Sequence, residues 1–280
     1  MPCGVRLEGL SRWRWNAAAN RMHRMLAGYH RDRPVQNVPM SIDPPRAARA
    51  LPISLAVFDM AGTTIQDTGV VPLAFDAALA SHGLSATADE LVAIRGAGKR
   101  EAIRHLVKAR LGVADLERHS DAVYEAFRGE LDRRFRAGGA LAVQGAVQVF
   151  DWLRSRGVAI VLNTGFDRDT QALVLAAVGW ERGVADALVC SDDVPKGRPA
   201  PYMIFRAMER TGTIDVARVL NIGDTVLDIQ SGRNAGCGVN VAVWTGAHRR
   251  DTLAREPGAH LIEDVSHLPA LLERIAGGGT

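Results

Sequence analysis

Five short apolar runs in this chain each lead towards a polar or glycine residue, and helical periodicity separates most of them. Residues 55–58 lead into Asp59, 158–162 into Asn163-Thr164-Gly165, and 187–190 into Asp192-Asp193. Residues 219–222 lead into Gly223-Asp224, and 239–243 run towards Gly246. A sixth short run near 260–262 precedes a final helical segment. Strands that alternate with helices define the α/β class and imply a doubly wound parallel sheet. The alternation fails once. After the first strand, residues 73–82, 87–94, 99–111 and 115–136 carry helical patterns with no strand among them. That block, over 69–140, reads as an inserted all-helical cap, with Gly69 and Gly138-Gly139 as hinges. The sheet domain then comprises 53–68 and 141–275, and 276–280 is a glycine-rich flexible tail.

Charge divides the chain differently. Residues 1–50 hold nine Arg, no Lys and three acids, so 25 of the 34 bases and 28 of the 31 acids belong to the body. The basic character therefore lies in a leader, 1–52, which also contains Arg-Trp-Arg-Trp at 12–15. Such a leader reads as a disordered extension, with Met40 as an alternative start. A transit peptide, or an arm touching nucleic acid or an anionic membrane, are the competing readings. The mildly acidic body offers no nucleic-acid surface. No apolar run approaches the roughly 20 residues that a bilayer demands. The three cysteines, Cys3, Cys190 and Cys237, are scattered without metal-ligand spacing, as expected in a reducing cytoplasm.

In an open α/β sheet the carboxyl ends of the strands form the ligand-binding edge. Here that edge collects Asp59, Thr164, Arg198 in the loop beyond Asp192-Asp193, and Asp224 with Asp228. Carboxylates hold Mg²⁺ through oxygen, a hydroxyl and backbone amides grip phosphoryl oxygens, and a fixed cation neutralises developing charge. The set has the composition of a phosphoryl-transfer site.

Over residues 54–275 the chain resembles the haloacid dehalogenase (HAD) superfamily of hydrolases with a helical cap. The resemblance rests on Phe58-Asp59-Met60-Ala61-Gly62-Thr63-Thr64, Asn163-Thr164-Gly165, Gly197-Arg198-Pro199 and Gly223-Asp224-Thr225-Val226-Leu227-Asp228. It implies Asp59 as a nucleophile that becomes an aspartyl-phosphate. It implies Mg²⁺ held by Asp59, the Ala61 carbonyl and Asp224, with Asp228 in support. It also implies phosphoryl binding by Gly62, Thr164, Gly165 and Arg198.

Phosphatases of this superfamily carry Asp two residues after the nucleophile to protonate the departing oxygen, and Ala61 cannot donate a proton. The Asp-x-Ala-Gly-Thr-Thr pattern resembles the phosphonatase branch, phosphonoacetaldehyde hydrolase, which cleaves a C–P bond. Arg198 before Pro199, Asp192-Asp193-Val194-Pro195 and Gly232-Arg233-Asn234-Ala235-Gly236 agree with that branch. The branch uses a cap lysine that condenses with the substrate carbonyl, and Lys99 in Arg95-Gly96-Ala97-Gly98-Lys99 occupies the matching place. A helix start, with Arg95 and Arg100 nearby, would lower the pKa of this lysine and favour its free amine. A solvated lysine on a basic helix face is the plain alternative. Arg95 stands where the branch has Met, and Ala102 where it has His. Arg95 is therefore expected to read a further anionic or polar substituent of the substrate. Arg168 matches a phosphonate-binding Arg, or is a surface residue at a helix start. Lys108 and Lys196 read as solvated, His105 as packed or exposed, and Cys190 as core.

These readings converge on a Mg²⁺-dependent hydrolase of a small 2-oxo-alkylphosphonate, a homodimer through the cap by resemblance. A phosphoglycolate-type phosphatase and a non-catalytic phospholigand binder are the alternatives.

Overall fold

The β1 strand, Leu55–Asp59, is buried along its whole length, as a strand covered on both faces must be. The computed structural model describes residues 51–278, so the readings of the Arg-rich leader and of Met40 lie outside the described residues. Five further strands follow: β2 (Ala159–Asn163), β3 (Ala187–Val189), β4 (Val219–Gly223), β5 (Val239–Val243) and β6 (Ala259–Ile262). Their order is β3-β2-β1-β4-β5-β6, and every neighbouring pair is parallel. Strand alternation sorts the side chains by face. Ala56, Phe58, Ile160, Leu162, Leu220 and Ile222 share one core. Leu55, Val57, Val161, Val189 and Val219 share the other.

The first face is covered by α5 (Ala146–Arg154), α6 (Arg168–Ala177) and α10 (Leu268–Gly277). The second is covered by α7 (Tyr202–Thr211), through Met203, Ile204 and Ala207, and by Ala235 at the end of α8 (Val226–Ala235). From β1 the chain winds outward to β2 and β3, then returns to β4 on the other side of β1. The reversal falls between β1 and β4, so the carboxyl ends carrying Asp59 and Asp224 flank the topological switch point, where such sheets bind ligands.

Between β1 and α5 the chain forms four helices: α1 (Val70–Ser81), α2 (Ala88–Ala93), α3 (Lys99–Leu111) and α4 (Leu116–Arg136). Leu116, Ser120, Val123, Tyr124, Phe127, Leu131 and Phe135 recur on α4 at intervals of three and four, giving one buried stripe. That stripe meets α1, where Phe75 and Phe127 bring their rings to 4.5 Å between centroids. A reciprocal cap between Thr87 and Glu90 starts α2.

The two connections between this block and the sheet run side by side. The backbone N–H of Gln66 donates to the Leu141 carbonyl at 2.8 Å, and the Thr68 hydroxyl donates to the Gly139 carbonyl at 2.9 Å. The amide of Val143 donates to the Thr64 carbonyl at 2.9 Å.

Several boundaries differ from the sequence expectation. The α1 helix begins at Val70, three residues before the expected 73, because Pro72 is tolerated in a first turn. Strands β1, β2 and β4 each extend one residue to include Asp59, Asn163 and Gly223. The short, polar α9 helix (Arg250–Leu253) has no apolar period to announce it. The α10 helix continues to Gly277, so Ala276 and Gly277, expected in a flexible tail, are helical. Among the described residues, no helix is long and apolar enough to cross a membrane.

Candidate active site

Asp59 ends β1 with its side chain buried, and its Oδ1 lies 2.6 Å from Nη2 of Arg198. The same guanidinium reaches Asp228 Oδ1 at 2.8 Å through Nη1 and donates to Asn163 Oδ1 at 2.6 Å through Nη2. One planar fork thus ties together the ends of β1 and β2 and the first turn of α8, as bidentate geometry allows. The other oxygen of Asp228 accepts from the Thr225 amide at 3.0 Å and from its hydroxyl at 2.5 Å. This reciprocal cap at the start of α8 fixes the carboxylate.

Asp224 accepts from the Ala247 amide at 2.6 Å and from the Thr63 hydroxyl at 3.4 Å. Its Oδ2 sits so close to Gly62 that a Cβ there would stand 2.1 Å away. Gly62 also has φ +89°, so both space and backbone conformation call for glycine. The Thr164 hydroxyl is buried and accepts from the Phe166 amide at 3.2 Å.

Burial dominates the electrostatics. It pushes Asp59 up to about 6, Arg198 opposing and Asp228 reinforcing the shift. It raises Asp224 well above the usual carboxylate range, with Asp59 and Asp228 adding repulsion. For Arg198 burial works against the charge, but Asp228 and Asp59 more than offset it. Three buried carboxylates therefore share the space with Arg198 and Lys99, and the group is short of positive charge. Among the described residues no three His, Cys, Asp or Glu side chains converge as a metal cage. The set of Asp59, Asp224 and the Ala61 carbonyl asks for only two carboxylates, and these hard oxygens with their charge deficit fit a divalent cation.

The helical block supplies the opposite wall. Lys99 is the first residue of α3 and is buried; its Nζ donates to the Ala97 carbonyl at 3.2 Å and stands 5.4 Å from the Phe166 ring centroid. Its pKa falls to about 8, chiefly through burial, with Arg198 assisting and the three carboxylates opposing. The direction matches the expectation from sequence, but the cause does not. Arg95 and Arg100, expected to act on Lys99, are committed elsewhere. Arg95 pairs with Asp67 at 2.9 Å. Arg100 pairs with Asp121 and lies 4.2 Å from the Tyr124 ring centroid. The Lys99 amide donates to the Gly165 carbonyl at 3.1 Å, and a Cβ on Gly165 would approach the Ala97 carbonyl oxygen to 2.5 Å.

Asp59, Ala61, Arg95, Lys99, Thr164, Gly165, Arg198 and Asp224 line one cleft. Arg168 is not among its lining residues. Its guanidinium is 61% exposed and bonded to Asp193 at 2.6 Å, which corrects its expected role in phosphonate binding. It begins α6, and its guanidinium is engaged by Asp193 beyond β3. Ala102 is buried within the helical block, while Lys108 and His105 are exposed. Sequence reasoning missed Asp67, the Asn163 amide as a partner of Arg198, and His248. His248 Nδ1 accepts from the Val226 amide at 3.0 Å, and its Nε2 faces the Val92 carbonyl at 3.3 Å. Asn163 lay within a motif already singled out; Asp67 and His248 carried no local signal.

The chain belongs to the haloacid dehalogenase-like hydrolase family, whose sequence profile matches residues 53–236. Within that family its sequence relatives include the phosphonoacetaldehyde hydrolase of Paraburkholderia phytofirmans, 30% identical over 202 residues, or 68% of this chain and 75% of the relative. Among solved structures, a phosphonoacetaldehyde hydrolase-like protein from Oleispira antarctica superposes with a TM-score of 0.67 at 22% identity, covering 85% of this chain and 98% of that one. A predicted phosphoglycolate phosphatase from Haemophilus somnus gives 0.66 at 17% identity, covering 79% and 98%. Both structures share the fold.

Proposed function

We propose that this hydrolase cleaves the C–P bond of a 2-oxo-alkylphosphonate, with Asp59 as nucleophile and Lys99 as the amine that activates the carbonyl. The observation that carries this reading is the buried Lys99 amine, with its pKa lowered to about 8, in the same cleft as Asp59 and Ala61. Lys99 Nζ adds to the substrate carbonyl and water leaves, giving an iminium. An oxygen of Asp59 bonds to phosphorus as the C–P bond breaks, and the electron pair passes to the carbon and nitrogen as an enamine. Protonation and hydrolysis of the enamine release the carbonyl product and return Lys99. Water then hydrolyses the aspartyl-phosphate.

Arg198, Thr164 and the Gly165 amide orient the phosphonate oxygens. Mg²⁺, held by Asp59, Asp224 and the Ala61 carbonyl with Asp228 nearby, would neutralise phosphonate charge. A carbon leaving group activated as an iminium needs no proton donor at residue 61, whereas the alkoxide of a phosphate ester does. The sequence relatives named phosphonoacetaldehyde hydrolase support the same choice.

The test is to incubate the protein with phosphonoacetaldehyde and Mg²⁺, follow phosphate release, and trap with borohydride in parallel. Release together with a reduced adduct on Lys99 is expected. Turnover confined to phosphate esters and indifferent to Lys99→Arg would replace this reading with a phosphatase; turnover of neither class would favour a binder.

A further inference from the structure

The cleft is chemically two-sided. Towards the strand ends its lining is polar, with Asp59, Thr164, Arg198 and Asp224. Elsewhere the lining is apolar: Val71, Pro72, Phe75, Leu91, Ile94 and Phe166, the last with its ring centroid 5.4 Å from Lys99 Nζ. Phe75 and Phe166 are buried, and α1, the α2 helix with the turn after it, and the loop after β2 each contribute to this wall. The one guanidinium supplied to the cleft by the helical block, Arg95, is already paired. It holds Asp67 at 2.9 Å and reaches the Ala247 carbonyl at 3.5 Å.

Resting on the C–P cleavage reading, we infer that the substrate's carbonyl carbon carries an uncharged alkyl substituent, making it a 2-oxoalkylphosphonate ketone. Charge points the same way. The lining carries three acids, Asp59, Asp67 and Asp224, against three bases, Arg95, Lys99 and Arg198. A phosphonate dianion uses the charge that a divalent cation brings. A carboxylate on the substrate would have no further cation to meet and would have to displace Asp67 from Arg95. It would also lie against aliphatic and aromatic surface that cannot hydrogen-bond it. An alkyl chain instead buries apolar area against that wall. The product after C–P cleavage is then a methyl alkyl ketone. The apolar wall selects the carbon end of the substrate, and the strand ends select its phosphorus end.

The test uses a homologous ketone series, which keeps carbonyl reactivity nearly constant. Phosphate release is measured for 2-oxopropyl-, 2-oxobutyl- and 2-oxopentylphosphonate, with 3-phosphonopyruvate as the anionic comparison. A buried methylene is worth at least about tenfold in kcat/KM. Thus kcat/KM should rise by about tenfold or more at each step of the series, and 3-phosphonopyruvate should be slower than every ketone. Leu91→Ala and Ile94→Ala, two independent variants, should each flatten the dependence on chain length. A flat or falling series with borohydride trapping intact at Lys99, or a preference for 3-phosphonopyruvate, overturns the alkyl assignment alone. If no phosphonate is cleaved and no adduct forms on Lys99, the C–P cleavage reading falls, and this inference falls with it.

Discussion

On the strand-end wall of the cleft every charged side chain is held by another element: Arg198 spans Asp59 and Asp228, while Asp224 is fixed by the Ala247 amide and Thr63. The wall from the helical block is built mainly from apolar surface, with one buried amine and one ion pair, Arg95–Asp67. The first wall is closely cross-linked, and apart from Ala61, which has no proton to offer an oxygen leaving group, its groups address the phosphoryl oxygens and the attacking carboxylate. The second meets whatever phosphorus is attached to. On the proposed reading, the helical block chooses among carbon substituents, and the groups that handle phosphorus belong to the sheet.

The comparison is most exposed at Lys99. Lys99→Arg keeps the charge but removes the nucleophilic amine, so phosphonate cleavage should fall on the order of a thousandfold and borohydride trapping should vanish. A variant that retained cleavage would move substrate activation back to the strand ends. Next in size is pH. With its pKa lowered to about 8, Lys99 should be trapped about tenfold more slowly per pH unit below that value and level off above it. Stability carries the matching sign. Between about 8 and the ordinary 10.5 the folded state binds fewer protons at Lys99 than the unfolded chain does. Its contribution therefore makes stability rise with pH across that window, and below it the cost of the buried charge is constant. Lys99→Met should remove this slope, as denaturant titrations at several pH values would show.

Asp67→Asn tests the wall more gently. Leaving Arg95 without its carboxylate should raise turnover of 3-phosphonopyruvate relative to 2-oxobutylphosphonate by about tenfold, the scale of one charge-assisted contact. The smallest effect concerns how the block is held. Tyr124 on α4 donates to Asp167 at 2.6 Å, and Asp167 caps α6 through the Thr170 amide. Tyr124→Phe should cost about 2 kcal/mol in urea unfolding. Arg128, 2.8 Å from the same carboxylate, still tethers α4, so the wall itself should persist and the ketone preference should be unchanged.

Each strand-end residue was legible because it lies inside a contiguous motif, and a strand delivers its last side chain to the sheet edge whatever surrounds it. The α4 helix was legible from its spacing. The Arg95–Asp67 pair was not, since its partners lie 28 residues apart in segments with no periodicity. His248 reaches Val92 across 156 residues and had no chance of local detection. Arg168 misled for the opposite reason. Closeness in sequence to Gly165 suggested the cleft, but Asp193, 25 residues away, holds its side chain elsewhere. The low pKa of Lys99 was anticipated from neighbours in sequence, whereas its main cause is loss of water, which only packing can supply.

The backbone bond from Lys99 to Gly165 has a consequence for anyone who wishes to rebuild this enzyme. The residue that positions the amine and the loop that presents Thr164 share one hydrogen bond, and the missing side chain at 165 leaves the Ala97 carbonyl its place. A cap grafted from a relative must therefore bring its own version of the Ala97–Gly98–Lys99 turn, shaped to that loop. Conversely, a single methyl group, Gly165→Ala, is a compact way to hold the two halves of the reaction apart while every reacting group stays in the chain.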